Sequence, residues 1–247
     1  MIVNDQFTLS IALLKFVIDA RDSGINLTVP PIFNKFLVEP NSSWLGKSEF
    51  SEILRLQVIH EVQKPGQVWG NPLCKTPIWE LWNDQNDDFV FVSPRQSPPK
   101  RVTIGKAFQK GVITFDFSSV QDREIYPLES IDIRIAVNWL ANFGDLILHA
   151  SGVAVGSHGY CFIGASGAGK STLTRDLADQ GELTILGEDQ IILRYLSGEF
   201  WIFGTPWHEY EDRCSPIGVP LKKIFFLDRH QIPGIKKYPA SEGVTKI

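Results

Sequence analysis

The chain has 247 residues, of which 43% are hydrophobic, 21% charged and 11% aromatic, and its formal net charge is −4. This is the composition of a globular protein with one large or two modest domains, and it excludes disordered, collagen-like and membrane-spanning classes. The acidic balance argues against a nucleic-acid binder that relies on bulk electrostatics.

The cysteines and the N-terminus indicate a reducing, non-membrane setting. Cys74, Cys161 and Cys214 form no C-x-x-C pair, so neither a disulfide framework nor a zinc site is predicted. The first residues match neither a signal peptide nor a spanning helix. We therefore expect a cytoplasmic protein without membrane or nucleic-acid partners, and a homo-oligomer is compatible with the sequence.

The N-terminal quarter of the chain predicts a helix followed by irregular structure. Ile11, Leu14 and Ile18 recur at helical spacing, which predicts an amphipathic helix that ends near Gly24. Residues 29–44 contain three prolines and are predicted to be irregular. The pattern of residues 50–62 fits a helix and a strand equally, because alternating apolar residues are mixed with Glu and Gln.

Short strands are predicted between residues 77 and 117. Residues 77–82 and 89–92 flank a polar turn, which is typical of a β-hairpin, and residues 102–104 and 112–117 add two strands. The aromatic residues here favour core and cross-strand packing over a recognition surface.

A helix is then predicted from Pro127 to a stop at Gly144, with apolar positions that include Ile131, Ile135 and Trp139. The change in character at residues 118–126 predicts two parts. Residues 1–124 would form a smaller α+β region, and residues 125–247 a catalytic domain.

The most specific motif is the stretch 164–172, Gly-Ala-Ser-Gly-Ala-Gly-Lys-Ser-Thr, which matches the phosphate-binding P-loop G-x-x-x-x-G-K-[ST]. Glycines allow successive backbone N–H groups to converge on phosphate oxygens, and the following helix points its positive end at the same anion. Residues 160–163 predict the strand that enters the loop. The predicted nucleotide-binding residues are Gly164, Ala165, Ser166, Gly167, Ala168, Gly169, Lys170, Ser171 and Thr172.

The strand before the P-loop is predicted to be delivered by a hairpin. Residues 145–155 form an apolar strand, and a tight turn at residues 156–159 returns the chain into the loop strand. An antiparallel neighbour at this point makes the predicted sheet mixed rather than all parallel.

Acidic residues follow the next predicted strand. Residues 183–186 end in Gly187, Glu188 and Asp189, at the carboxyl end of a strand, where open α/β sheets bind their ligands. Both carboxylates are placed beside Lys170 and suit Mg²⁺ binding or acceptance of a hydroxyl proton.

The C-terminal residues predict one more hairpin and a final strand. Residues 191–195 and 200–203 form the hairpin, and residues 221–227 form the last strand. The polar loop between them contains His208, Glu209 and Glu211, which are candidates for contacts with a substrate or metal.

The segment from about residue 145 to residue 227 resembles the catalytic domain of HPr kinase/phosphorylase, and more closely the shorter HPr-kinase-related proteins. Three features carry the resemblance: His149 within Leu-His-Ala-Ser-Gly-Val, the P-loop, and the pair Glu188-Asp189. The resemblance implies a mixed-sheet α/β fold of the PEP-carboxykinase-like P-loop type.

The same resemblance implies an ATP- and Mg²⁺-dependent serine kinase. By position, Lys170 would stabilise the transferring phosphoryl group, Ser171 would bind Mg²⁺, Asp189 would be the base, and His149 would line the site. The acceptor would be a hydroxyl on a protein, a peptide or a small molecule. Ser171, Asp189 and Glu209 are the predicted metal contacts.

The chain departs from the family pattern at Ala165, Thr172 and Glu188, and ends at Ile247, before the segment that bifunctional members use for dephosphorylation. We therefore expect no phosphorylase activity and an acceptor other than HPr. An ABC-type ATPase is disfavoured because no Leu-Ser-Gly-Gly-Gln motif follows the loop. A small-molecule kinase, for example for free serine, and a non-catalytic nucleotide-binding module stay open.

Overall fold

The structure is a computed structural model that describes residues 5–39, 52–62, 69–94, 99–118, 124–179, 181, 183–208, 213–228, 234 and 236–239. The chain divides into two compact units, Met1–Trp139 and Leu140–Ile247. This division falls within helix α1 (Asp132–Ala141), C-terminal to the predicted boundary at residues 124/125. Within the described ranges, no helix has both the length and the apolar character needed to cross a membrane.

The predicted α/β fold class is wrong. The protein is mostly β, with 48% strand and 14% helix, a five-stranded barrel and large mixed sheets, rather than an α/β P-loop fold. The prediction failed for two reasons. The apolar N-terminal stretch fits a helical period but forms two strands, and the last strands close a barrel instead of an open sheet.

The first unit is built on an eight-stranded mixed sheet in the order β1-β2-β4-β9-β8-β7-β6-β5. Strand β4 pairs in parallel with β2 and β9, and the other pairs are antiparallel. A separate parallel pair joins β3 and β10. The strands are β1 (Gln6–Ile11), β2 (Leu14–Asp19), β3 (Asn26–Leu27), β4 (Glu52–His60), β5 (Asn71–Lys75), β6 (Glu80–Asn83), β7 (Phe89–Ser93), β8 (Lys100–Ile104), β9 (Lys110–Phe115) and β10 (Glu124–Ile125).

The N-terminal segment is a hairpin, so the helix predicted there is wrong. Phe7, Leu9 and Ile11 are buried at alternate positions and so share one face of β1, and Thr8 on the opposite face is buried as well. The turn places Ala12 and Leu13 at φ 51° and 69°, a left-handed pair of the kind that closes two-residue hairpins. Such turns usually contain Gly, Asn or Asp, so the Ala-Leu pair gives no sequence signal for a turn here.

The strands predicted between residues 77 and 117 are confirmed. The hairpin β6–β7 and the strands β8 and β9 form where expected. Residues 50–62, whose pattern fits a helix and a strand equally, contain the strand β4. Residues 29–44, predicted to be irregular, contain a 3-10 helix at Pro31–Phe36. Residues 40–44 of that stretch are outside the described ranges. Helix α1 forms, but it begins at Asp132 rather than at Pro127. Its Trp139 is fully buried and packs edge-on against Phe16, with ring centroids 5.3 Å apart.

The second unit contains a closed barrel. The strands β12, β16, β15, β14 and β11 pair in that cyclic order, because β12 also pairs with β11. The elements are β11 (Leu146–Val155), β12 (His158–Ile163), α2 (Lys170–Asp179), β13 (Leu183–Gly187), β14 (Gln190–Leu196), β15 (Glu199–Phe203) and β16 (Gly218–Phe226). The hydrophobic core of this unit includes Ala150, Cys161, Ile191 and Ile202 from barrel strands and Leu186 from β13.

Strand β11 organises this unit because it pairs with three strands. Its first four residues pair with β14. Its last six residues pair with β12, and the last four of these also pair with β13 on the opposite edge of the strand. The predicted hairpin β11–β12 is therefore confirmed, and β12 is parallel to β16. Since β12 and β13 both run antiparallel to β11, their carboxyl ends lie at the same edge of the sheet.

Candidate functional site

The P-loop lies at the carboxyl end of β12, between that strand and the ten-residue helix α2. Gly167 and Gly169 have φ values of 75° and 97°, which only glycine adopts without strain, and the N–H of Ala168 donates to the carbonyl of Ala165 at 3.0 Å. A Cβ placed on Gly169 would meet nothing within 4 Å. The loop backbone therefore curls and faces open space at this glycine.

Lys170 is the buried cation of the loop. Its side chain is only 7% exposed, and Nζ donates to the carbonyl of Gly164 at 2.8 Å and to that of Ala165 at 3.3 Å. Nζ also lies 3.3 Å from Nε2 of His149. The ammonium group is thus held over the start of the loop.

His149 connects Lys170 to Asp189. Its Nδ1 lies 2.9 Å from Oδ1 of Asp189. Because an ammonium group can only donate, Nε2 accepts from Lys170, which assigns the ring proton of a neutral imidazole to Nδ1 and makes it the donor to Asp189. The result is a continuous line of contacts from Lys170 through His149 to Asp189.

Strand pairing explains why these residues meet. His149 lies opposite Gln190 in the β11–β14 pair, and the next residue, Ala150, lies opposite Ile163, the last residue of β12. The N–H of Ala150 also donates to the carbonyl of Asp189 at 3.0 Å. His149 is therefore on β11 at the sheet edge from which the P-loop and the acidic pair both leave.

Glu188 lines the same cleft as Lys170, but its carboxylate pairs with arginines. Its carboxylate is 9% exposed and lies 3.6 Å from Nε of Arg175 and 3.3 Å from a terminal nitrogen of Arg213. Among the residues that the structure describes, these arginines are its ion-pair partners and Lys170 is not. The hydroxyl of Ser151 donates to the Glu188 carbonyl at 2.9 Å, which fixes the backbone of the acidic pair.

Sequence reasoning missed both arginines. Arg175 follows Ser171 by one helical turn on α2 and donates to its carbonyl at 3.0 Å, so helical spacing could have placed it near the loop. Arg213 comes from the segment after β15. That segment is tied to the end of β13 by a bond from the Ser215 N–H to the Leu186 carbonyl at 3.2 Å, a contact without a sequence signal.

His208 also approaches the site. Its Nε2 lies 3.3 Å from the hydroxyl of Thr205. Burial lowers the pKa of His208 below its ordinary value, and the nearby Asp189 carboxylate opposes this shift in part. Glu209 and Glu211, predicted as metal or substrate contacts, lie outside the described residues.

An open cleft of about 360 Å³ collects these groups. Its walls are His149, Ser166, Gly167, Gly169, Lys170, Ser171, Thr172, Glu188 and Asp189. A curled loop, a buried lysine and a helix N-terminus are the groups that hold phosphate oxygens in a P-loop, so the residues present fit a triphosphate.

The cleft also fits Mg²⁺, although only as part of a nucleotide complex. Within the described part of the chain, no group of three or more His, Cys, Asp or Glu side chains could hold a metal ion. Mg²⁺ in nucleotide sites is held by one or two protein oxygens together with phosphate oxygens. Ser171 and Asp189, which both line the cleft, meet that requirement.

Comparison of the sequence with protein-family models gives no match, and no curated protein matches it at a significant level.

Proposed function

We propose that the protein is an ATP-dependent phosphotransferase, a serine kinase related to HPr kinase, that transfers the γ-phosphoryl group of ATP to a hydroxyl on a protein, a peptide or a small molecule. The observation that supports this most strongly is the line of contacts Lys170–His149–Asp189 at the mouth of the P-loop. Through these contacts the proposed base, Asp189, is connected to the lysine that would contact the transferred phosphoryl group.

The chain's own groups would bind and orient the nucleotide. The loop N–H groups and the N-terminus of α2 contact the phosphates, and Lys170 exchanges its bonds to the loop carbonyls for bonds to the β- and γ-phosphates. Mg²⁺ held by Ser171 and Asp189 would neutralise charge on the phosphates. The transfer then depends on positioning and charge stabilisation.

The chemical step is an in-line displacement at the γ-phosphorus. The acceptor oxygen forms a bond to phosphorus, the bond between phosphorus and the β,γ-bridging oxygen breaks, and ADP leaves with that electron pair. Asp189 takes the hydroxyl proton, and His149 holds the carboxylate in place through its Nδ1–H. Glu188, which is paired with two arginines, is a positioning residue in this scheme.

Transfer from γ-labelled ATP is the direct test, with the wild type, Lys170→Met and Asp189→Asn compared on serine-containing peptides, free serine and other small hydroxyl compounds. We expect Lys170→Met to weaken ATP binding, and Asp189→Asn to bind ATP but to lose transfer. Asp179→Asn is the matched control, because this exposed carboxylate lies at the opposite end of α2. ATP binding without transfer by the wild type would favour the nucleotide-binding module and refute the kinase.

A further inference from the structure

The turn that carries the proposed base is held by two separate parts of the chain. We call residues 187–190 the acidic turn, which joins β13 to β14. On β11, the Ser151 hydroxyl donates to the Glu188 carbonyl at 2.9 Å. The N–H of the neighbouring Ala150 donates to the Asp189 carbonyl at 3.0 Å. The segment between β15 and β16 contacts the two ends of the same turn.

Thr205 in this segment holds the end of the acidic turn at Gln190. Its side chain is fully buried, and its hydroxyl donates to the Gln190 carbonyl at 2.8 Å. Because a hydroxyl has one proton to donate, the contact of 3.3 Å with Nε2 of His208 is a bond that the Thr205 oxygen accepts. Nδ1 of His208 is buried and has no hydrogen-bond partner among the described residues. The bond from Nε2–H to Thr205 is therefore the one that orients the imidazole ring.

The His208 ring packs against the other end of the turn, at Gly187. A Cβ on this glycine would lie 2.6 Å from Nε2 and 2.7 Å from Cε1 of His208, and 3.2 Å from the carbonyl oxygen of Gln190. A side chain at position 187 would therefore displace the ring. Thr205 and His208 together contact both residues that flank the acidic pair.

The same segment is fixed to the strand that leads into the turn. The N–H of Ser215 donates to the Leu186 carbonyl at 3.2 Å, and a Cβ on Gly204 would lie 2.3 Å from the same carbonyl oxygen. The main chain of the segment thus lies directly against the end of β13. A shift of the segment would shift the residue that precedes the turn.

We propose that Thr205 and His208 are positioning residues that fix the acidic turn so that the Asp189 carboxylate meets the acceptor hydroxyl. This inference rests on the proposed kinase function and adds two residues to it. The Asp189 side chain is 53% exposed, so the main chain of the turn contributes strongly to its position, and a misplacement of about 1 Å can cost about 10²-fold in rate. Neither Thr205 nor His208 is among the walls of the nucleotide cleft, so they act on kcat rather than on ATP binding.

Kinetics of transfer from γ-labelled ATP test this inference, on whichever serine peptide or small hydroxyl compound the wild type phosphorylates. Thr205→Val removes the hydroxyl, and His208→Phe keeps a ring but removes the Nε2–H donor. We expect kcat to fall about tenfold in each variant, the size of one lost hydrogen bond, with the Kd for ATP unchanged. The double variant should lose little more, because the two residues act through one bond.

Conservative variants and matched controls separate positioning from a general effect on the fold. Thr205→Ser keeps the hydroxyl and His208→Gln keeps a donor, so both should retain most of the wild-type kcat. Thr184→Val, at an exposed threonine on β13, and His158→Phe, at an exposed histidine on β12, should match the wild type.

Gly187→Ala tests the packing contact independently of the hydrogen bond. The added methyl group should lower kcat because it displaces the His208 ring. In a His208→Ala background the nearest remaining contact is the Gln190 carbonyl oxygen at 3.2 Å, so Gly187→Ala should cause little further loss there. An equal loss in both backgrounds would overturn the assigned contact.

The outcomes distinguish this inference from the proposed function. Transfer by the wild type with unchanged kcat in Thr205→Val and His208→Phe overturns the positioning role and leaves the kinase. Loss of kcat that is equally large in Thr205→Ser and His208→Gln, or a Kd for ATP that weakens in step with kcat, also overturns it. Absence of transfer by the wild type refutes the kinase and the positioning role together.

Discussion

Replacing His149 by alanine should separate catalysis from stability. The substitution removes the contact of Nδ1 with Asp189 at 2.9 Å and the contact of Nε2 with Lys170 at 3.3 Å. The side chains of His149 and Asp189 are 60% and 53% exposed, and exposed ion pairs contribute about 0–1 kcal/mol. We therefore expect the free energy of unfolding, measured in urea, to change by less than about 1 kcal/mol.

The effect on transfer should be much larger. A positioned acid–base group contributes about 10²–10⁴-fold, and without its neighbour the Asp189 carboxylate loses its orientation toward the hydroxyl. We expect kcat for phosphoryl transfer to fall about 10²-fold, while the Kd for ATP changes little, because the loop and Lys170 stay in place.

The control for this experiment is His158→Ala, at an exposed histidine at the start of β12 whose Nδ1 lies 3.3 Å from the Ser157 hydroxyl. Its kcat and unfolding free energy should match the wild type. Unchanged kcat in His149→Ala, or an equal loss in both variants, would refute the positioning role. A loss of several kcal/mol of stability in His149→Ala would show that the residue acts on the fold instead.

Three further predictions concern the second unit. A Cβ on Gly204 would lie 2.0 Å from a backbone carbonyl oxygen, so Gly204→Ala should lower the unfolding free energy by about 1–3 kcal/mol or more. The control is Gly105→Ala in the first unit, where the nearest atom to the added Cβ is 3.6 Å away, and it should change the unfolding free energy little. Equal losses in the two variants would contradict this. Arg194 and Asp145 are 3% and 1% exposed and 2.7 Å apart, so Arg194→Met leaves a buried unpaired carboxylate and should cost about 3–5 kcal/mol in urea unfolding, whereas a cost below 1 kcal/mol would refute the reasoning. Because burial lowers the pKa of His208, the unfolded chain binds the proton more tightly than the folded chain, and stability should fall as pH drops below about 6.5. His208→Gln should therefore reduce the difference between the urea midpoints at pH 7.5 and pH 5.5. The same difference in the variant and the wild type would contradict this prediction.

The parts of the fold that could be predicted from the sequence are those with local signals. The hairpin β6–β7 has two apolar strands around a polar turn, and β11–β12 has a glycine-containing turn. The hairpin β1–β2 lacked such a signal because its turn is Ala-Leu. Its apolar residues therefore fitted a helical pattern equally well, and only pairing with β4 decides for strands.

Closure of the barrel could not be predicted because it depends on one strand changing partners. Strand β16 pairs with β15 through Gly218, Val219 and Pro220 and then with β12 through its later residues. Apolar alternation shows which face of a strand is buried, but it does not show which neighbours the strand selects. The two helices predicted from Pro127 and after the P-loop do form, but the strands beside them close into a barrel instead of an open α/β sheet.

The contiguous P-loop of the candidate site could be predicted from the sequence, whereas the contacts between residues far apart in the chain could not. The P-loop is contiguous, so its strand, loop and helix follow from the sequence. That His149 contacts Lys170 and Asp189 depends on the pairing of β11 with two strands, and was expected only by resemblance. The clamp of Arg175 and Arg213 on Glu188 joins three separate parts of the chain. Helical spacing places Arg175 near the loop, but no sequence spacing indicates that Arg213 meets Glu188.

The triple pairing of β11 has a consequence for how the protein would lose its proposed activity. Since one ribbon is hydrogen-bonded to the strands that carry the loop and the acid, neither can detach while the other keeps its position. Partial denaturation should therefore not yield a species that still binds nucleotide but has lost the position of the proposed base, Asp189. The amide protons of β11 should exchange with deuterium among the slowest in the second unit, and inactivation should coincide with their release.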